Sequence, residues 1–522
     1  MSRRRSRLSL VATASMLAAC SGGGGGNVDT ATAEESPLAA ADRGRDVLLQ
    51  AGTAFIPLAV TDDDYAFYQD GRAVYVSALR AGAPRTKLAD VPGDNTAFIY
   101  ISGKVAFIWT NPDYALPGFG VSPLVVWTAA HGARAASASS AVGTLVTTAS
   151  DDGRRIVFPT HSDAAGSVGD LVLASADLAH TETLVRGANM SFPAGACRPE
   201  ATFLGHGDDA YPATAACIGD EPTATLTTWR NGVRRDVHGI FARPRLFVDP
   251  HRSHIATLRR EGAGPTAPTP VLITENDVRP IDTVPSSLAF FAADGALLYT
   301  DKTVDPTVPG MHLRRTVRAG HGAITVVPTL ASVYGFGAGS ESIHAPPTSR
   351  DGRWLLYAAN ADPQTGLTDL HLADLHARAC DPRTFVLDGT LANTTAGGNP
   401  FTDDARFVVT NHVTDPATGA GPLVATRLAD RSHRNISDDL PARAIPAAGS
   451  FVTVGDHFEL NASNVFLSTV DVKLVDLAAA RDGTTVIATN ARLNFFVNRT
   501  KTRIIYATDE AGRAGLRAAR VR

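Results

Sequence analysis

Long stretches of helix-periodic pattern are absent from this 522-residue chain, and beyond its first twenty residues nothing reaches eighteen consecutive apolar residues. The first absence points away from helices, and the second excludes an apolar helix spanning a membrane from the body. Charge is scarce as well: charged residues make up 19% and the formal net charge is −4, which gives no electrostatic footprint for nucleic acid. The G-x-S-x-G signature of a serine nucleophile elbow occurs nowhere. Cysteine is limited to Cys20, Cys197, Cys217 and Cys380. What is abundant is turn chemistry, since 46 Gly and 31 Pro make about one residue in seven. That mix predicts many short strands and many turns.

The N-terminus reads as a targeting segment. MSRRRSR supplies a basic start, and Leu8 to Ala19 supply twelve apolar or small residues. Leu17-Ala18-Ala19-Cys20 then resembles the lipobox of bacterial lipoproteins, in which the cysteine becomes a lipidated N-terminus. The resemblance implies a signal peptide over residues 1–19, lipid on Cys20, and membrane attachment through that lipid. The alternative is a signal cut without lipidation. SGGGGG follows Cys20 and reads as the start of a flexible tether over residues 20–45, with the folded body at 46–522. Ser21, by the sorting pattern of enteric bacteria, implies the outer membrane. Removing residues 1–19 takes away four arginines and no acid, moving the formal charge from −4 to −8.

The body repeats a phrase. SRDGRWLLYAANADPQTGLTDLHLADL at 349–375 matches DDGRRIVFPTHSDAAGSVGDLVLASADL at 151–178: an Asp-Gly turn, an apolar run, then an Asp-Leu pair opening an alternating strand. Asp152 to Asp170 and Asp351 to Asp369 both span 18 residues, and the two copies lie 199 residues apart, close to four periods of about fifty. Weaker copies include KVAFIWTN, ALLYTD, RFVVTN, TVIATN and RIIYATD, each running apolar residues toward Asn or Asp. The terminal Asn or Asp is expected to end the strand by bonding nearby backbone. Asp70-Gly71, Ser102-Gly103, Asp152-Gly153, Asp294-Gly295, Asp351-Gly352 and Asp482-Gly483 are expected turns with positive φ.

Four antiparallel strands per unit, recurring every 40 to 57 residues, predict an all-β fold of β-propeller blades. A second strand apolar at consecutive positions suits burial on both faces, and a polar fourth suits the rim. These residues resemble the TolB-type, WD-like propeller repeat. Ten candidate units can be marked between residues 54 and 522, with about eight blades expected and seven to ten allowed. The last unit lacks a fourth strand, and Val47–Gln50 or Phe55–Leu58 is expected to complete it.

The candidate sites are few. CRPEATFLGHGDDAYPATAAC reads as a hairpin about Gly207, which sets Cys197 and Cys217 opposite each other for a disulfide, while two free thiols are the alternative. Cys380 is left over. The prolyl oligopeptidase family joins a propeller to a hydrolase domain, but Ser340 in GFGAGSES has the setting of a loop rather than an elbow. His251 with His254, and His371 with His376, are spaced to opposite faces of a strand, and Asp62-Asp63-Asp64 and Asp151-Asp152 read as exposed turns. The sequon Asn498-Arg499-Thr500 carries no weight in a bacterial chain. No catalytic residue, metal or cofactor is expected. The sequence therefore suggests an outer-membrane lipoprotein whose propeller binds a protein or envelope component without catalysis. An extracytoplasmic propeller enzyme acting on glycans or small substrates is the alternative.

Overall fold

The computed structural model describes residues 46–521 apart from 53–54, 94–95, 113–120, 141–145, 162–167, 191–198, 220, 222, 242–245, 261–266, 276, 303–310, 319–320, 331, 334–347, 360–367, 378–383, 394–398, 413, 415–420, 438–442, 460, 462–466 and 480–482. The fold is all-β and of propeller type. In chain order the described strands fall into ten antiparallel sets: 56–90, 98–140, 148–189, 200–241, 247–280, 289–330, 332–393, 401–437, 443–492, and 496–520 together with 47–51. Each set has four strands, except that the eighth opens with only the single-pair bridge Phe401↔Val408. Three links join successive sets into larger sheets: Ile240↔Arg259, Ala392↔His412 with Asn393↔Asn411, and Ala491↔Thr508. Ten lies within the expected seven to ten and above the central eight. The two strongest copies of the repeat occupy the third and seventh sets, four apart as their spacing requires.

The chain divides into two compact units. Of the described residues, one holds 46–87 and 331–522, and the other 88–330. The first unit contains sets one and seven to ten, the outermost strand of set one, Thr86–Asp90, crossing the boundary. The second contains sets two to six.

Within each unit the burial follows from composition. The second strands Val105–Trp109, Leu297–Asp301 and Arg503–Thr508 are buried at every position, whereas the fourth strand Thr86–Asp90 is exposed or half-buried throughout. A strand loses both faces to protein only when sheets pack on either side of it, and the apolar clusters show this stacking. Phe55, Tyr68 and Leu79 of the first set meet Ile505, Leu516 and Ala518 of the tenth, and Leu356 and Leu370 of the seventh meet Phe401 and Val408 of the eighth.

The Asp-Leu pair that opens third strands has a specific task. The pairing of third with fourth strand slips at Leu171/Val172, Leu370/His371 and Val472/Lys473, each slip a bulge. A bulge frees a backbone N–H, and Asp170 Oδ1 accepts that of Gly187 at 2.9 Å while Asp471 Oδ1 accepts that of Asn490 at 3.1 Å. Both donors sit at positive φ, 63° and 51°, and Gly and Asn tolerate that conformation best.

Two expectations need correction. TVIATN, read as a copy of the buried second strand, lies in Thr484–Arg492, the largely exposed fourth strand of the ninth set. The true second strand there is Phe451–Glu459. Its Gly455 breaks the apolar run because a Cβ would lie 2.6 Å from the Phe495 ring. In addition, the acids that end second strands do more than cap local turns. Asp301 pairs with Arg314 across the sheet at 2.6 Å, Asp509 with Arg492 of the preceding set, and Asp70 with Arg85 at 2.6 Å.

The last sheet closes as expected, with Val47–Ala51 supplying its outer strand. Val47 lies opposite Ala518 and Ala51 opposite Gly515. Just before that strand, the Asp46 carboxylate accepts hydrogen bonds from Tyr506 Oη at 2.6 Å and from Arg513 and Arg517 at 2.6 and 3.0 Å. Phe55 turns instead into the first set, edge-on to Tyr68 at 5.4 Å.

Candidate functional site

The two edges of the sheets differ in chemistry. At one edge, first strands turn into second strands through short loops built on one pattern. Ser150 Oγ donates to Asp152 at 2.6 Å and accepts the Arg155 N–H at 3.0 Å, while the Gly153 N–H returns to the Ser150 carbonyl. Ser349, Asp351, Gly352 and Trp354 repeat it, as do Thr402, Asp404, Ala405 and Phe407. Asp249 and Asn498 supply the equivalent acceptor to His254 and Arg503. The fourth turn position needs positive φ: Gly153 and Gly352 adopt 74° and 69°, and Asp64, Arg252, Ala405 and Lys501 adopt 53–62° without being glycine. Of the glycines expected to do so, Gly71, Gly103, Gly153, Gly295 and Gly352 have positive φ, and Gly483 does not.

The charged groups of these turns are spent on one another. In the first unit Asp403 binds Arg350 and Lys501, each at 3.0 Å, Arg499 binds Asp62 at 2.9 Å, and Asn498 Nδ2 donates to Asp64 at 2.9 Å. In the second unit Asp151 accepts from the Gly207 N–H at 3.0 Å and lies 2.8 Å from His206 Nδ1, and Arg154 reaches Asp208 at 2.6 Å. Burial raises the Asp151 carboxyl, but the His206 and Gly207 contacts outweigh it and leave the group below its usual range. The acids Asp62, Asp64 and Asp151 are thus tied into turn-to-turn contacts, and Asp152 is held within its own turn by Ser150 and Arg154. Asn498 is 2% exposed and uses both side-chain atoms internally.

The other candidates disperse. His254 lies 3.5 Å from Asp249 and touches Ser253, and His251 is exposed beside it. His371 faces Tyr357 across the strand pair, with ring centres 5.3 Å apart, and burial lowers its pKa and keeps the imidazole neutral. His376 is exposed, its N–H held by Asp374. Cys217 is fully buried and disulfide-bonded. Its hairpin pairs Glu200 with Ala215 and turns about Gly207–Asp209, close to the expected centre. Cys20, Cys197, Cys380 and Ser340 lie outside the described residues.

At the opposite edge, second strands lead into third strands through connections of very different length. Residues 110–120, 260–268, 302–310 and 413–422 are long examples, and 71–72 is a tight turn. Here the structure assembles a group that the sequence did not reveal. Asp456, at the end of the second strand of the ninth set, lies directly opposite Asp471 near the start of the third. His457 follows at φ 51°, on a bulge. One ligand atom from each of the three lies within 4.8 Å of the others, the one such group among the described residues. Asp456 is 2% exposed, and its Oδ2 accepts from Lys473 Nζ at 2.8 Å and Ser437 Oγ at 3.2 Å. The available sequence signal is the Asp-His pair near a strand end, and the resemblance of TVIATN to a buried strand masks it.

No family model matches the chain, and neither does any curated protein. Among solved structures it is similar to a eukaryotic initiation factor at 11% identity and TM-score 0.47, covering 75% of this chain and 91% of that one. It is also similar to Porphyromonas gingivalis dipeptidyl peptidase 4 at 10% identity and TM-score 0.43, covering 81% and 65%. TolB from Acinetobacter baumannii follows at 11% identity and TM-score 0.27, covering 66% and 79%. At these values the likenesses define neither a family nor an activity.

Proposed function

We propose that this chain is a bacterial envelope lipoprotein, lipidated at Cys20 and tethered through residues 21–45, whose blades form a non-catalytic scaffold for a protein or envelope polymer. One observation carries the binding reading: the two sheet edges are built on opposite principles. Short turns fill one edge and consume their own polar groups. Connections of varied length and composition leave the other, where loops on a rigid framework ordinarily carry recognition. The lipobox at Leu17–Cys20 supports the anchor.

Affinity capture of the full-length lipidated protein from envelopes tests the scaffold. A stoichiometric partner lost when 413–422 or 302–310 is replaced by a short Gly-Ser linker supports it, and equal recovery by the replaced chains counts against it. Fatty-acid labelling tests the anchor, since Cys20→Ala should abolish incorporation.

A further inference from the structure

A carboxylate removed from water must be compensated, and two carboxylates directly opposite across a strand pair repel. Asp456 and Asp471 are such a pair. Lys473 supplies one positive charge for two negative ones, through Oδ2 of Asp456 alone. Oδ1 of Asp456 is buried and has no hydrogen-bond partner. An unpartnered oxygen on a buried carboxylate carries its full desolvation cost unless something fills the position. Asp471 spends Oδ1 on the bulge N–H of Asn490, which fixes the carboxylate without neutralising it. The bulge at His457 then brings an exposed imidazole to the same two acids.

We propose that Asp456, His457 and Asp471 form a binding site for a divalent transition-metal ion of the zinc class, with Asp456 Oδ1, an imidazole nitrogen of His457 and a carboxylate oxygen of Asp471 as protein ligands. Two carboxylates and an imidazole form a mixed oxygen and nitrogen set, which suits zinc, cobalt or manganese better than calcium or magnesium, whose sites are built from oxygen. Three protein ligands leave zinc a fourth position open to solvent. The ion supplies the charge that Lys473 leaves uncompensated. It also clips the end of the second strand to the start of the third, at the base of the connection 460–468. Lys473 competes with the metal for Asp456, so the site binds more weakly than one without an ammonium beside it.

The test uses the full chain, stripped with chelator and titrated with Zn²⁺ by calorimetry and with Co²⁺ by absorption. One ion per chain is expected, with the visible bands of a mixed nitrogen and oxygen cobalt site. His457→Ala and Asp471→Asn should each weaken binding by at least about tenfold. His457 is exposed, so His457→Ala should keep a cooperative melt in chelator, which separates loss of binding from loss of the fold. Lys473→Met should instead tighten binding severalfold and make the melting temperature rise with added Zn²⁺. Binding unchanged in His457→Ala, cobalt spectra lacking a nitrogen ligand, or Ca²⁺ competing at equal concentration would each overturn the assignment. Failure of the stripped wild-type chain to bind Zn²⁺ would do the same.

Discussion

The carboxylate of Asp46 and the guanidinium of Arg513 stand 467 residues apart in the chain and meet at 2.6 Å. Tyr506 and Arg517 complete the contact, so one acid at the beginning of the described chain fixes three side chains at its end. Burial raises the Asp46 carboxyl, but the Tyr506 and Arg513 hydrogen bonds and the two guanidinium charges outweigh it and hold the group below its ordinary value. Burial, followed by the nearby Asp46, raises the Tyr506 phenol, which therefore remains the donor.

Asp46→Asn should lower stability by about 2 kcal/mol, the cost of removing the negative charge from partly buried, charge-assisted bonds. Urea denaturation measures it. Because the folded carboxyl titrates lower than the unfolded one, its contribution is complete above about pH 5 and is lost as pH falls through the folded pKa. The difference between parent and variant should therefore shrink as denaturation is repeated toward about pH 2. A difference that stays constant over that range would assign the contact no electrostatic share.

Deletion of residues 45–60 should cost far more stability than deletion of 21–44. The first deletion removes the strand Val47–Ala51 with buried Leu49 and also Phe55, leaving Gly515–Arg520 as an open sheet edge. Loss of one buried leucine alone costs about 2–5 kcal/mol. Equal melting temperatures for the two truncations would contradict the closure.

The short turns make opposite predictions at equivalent positions. Gly352→Ala places a Cβ at φ 69° and should destabilise by about 1 kcal/mol, whereas Ala405→Gly relieves φ 54° and should stabilise by up to about 1 kcal/mol. Thr402→Val, which removes the hydroxyl serving both Asp404 and the Phe407 N–H, should cost about 1–2 kcal/mol. Denaturation midpoints decide all three, and the pair of signs is the sharper test.

Cys217 is disulfide-bonded, so reductant should lower the stability of the parent by about 2–4 kcal/mol and leave Cys217→Ser unchanged. Peptide mapping under non-reducing conditions should join Cys217 to the peptide containing Cys197. A link to Cys380 would refute the hairpin pairing.

The repeat was legible because it is written in local terms. Asp152-Gly153 and Asp351-Gly352 are turns whose geometry favours those residues, and four apolar residues in succession at 105–108 admit few settings other than a sheet covered on both faces. Strand exchange at the seam was legible from a deficit, three strands in a last unit that needs four. The ninth set is hard to read because its buried strand, FVTVGDHFE, breaks its apolar run at Thr453 and Gly455, while its exposed strand resembles a buried one. The metal-binding group depends on which residue of one strand lies opposite which of the next, together with a bulge at His457. Neither is fixed by residue type alone. The salt links between turns were hidden for the same reason, since Asp403 meets Lys501 across 98 residues.

The pairing of residues 47–51 with 515–520 also sets a timetable for folding. The nine sets that close on nearby sequence can form as the chain is made, each with a short loop to close. The tenth waits for its last residues, and Val47–Ala51 has no native partner until then. Loop entropy grows only slowly with length, so the delay is kinetic rather than a large thermodynamic penalty. Refolding should therefore end in a slow phase in which Tyr506 and its partners around Asp46 are the last side chains to become ordered.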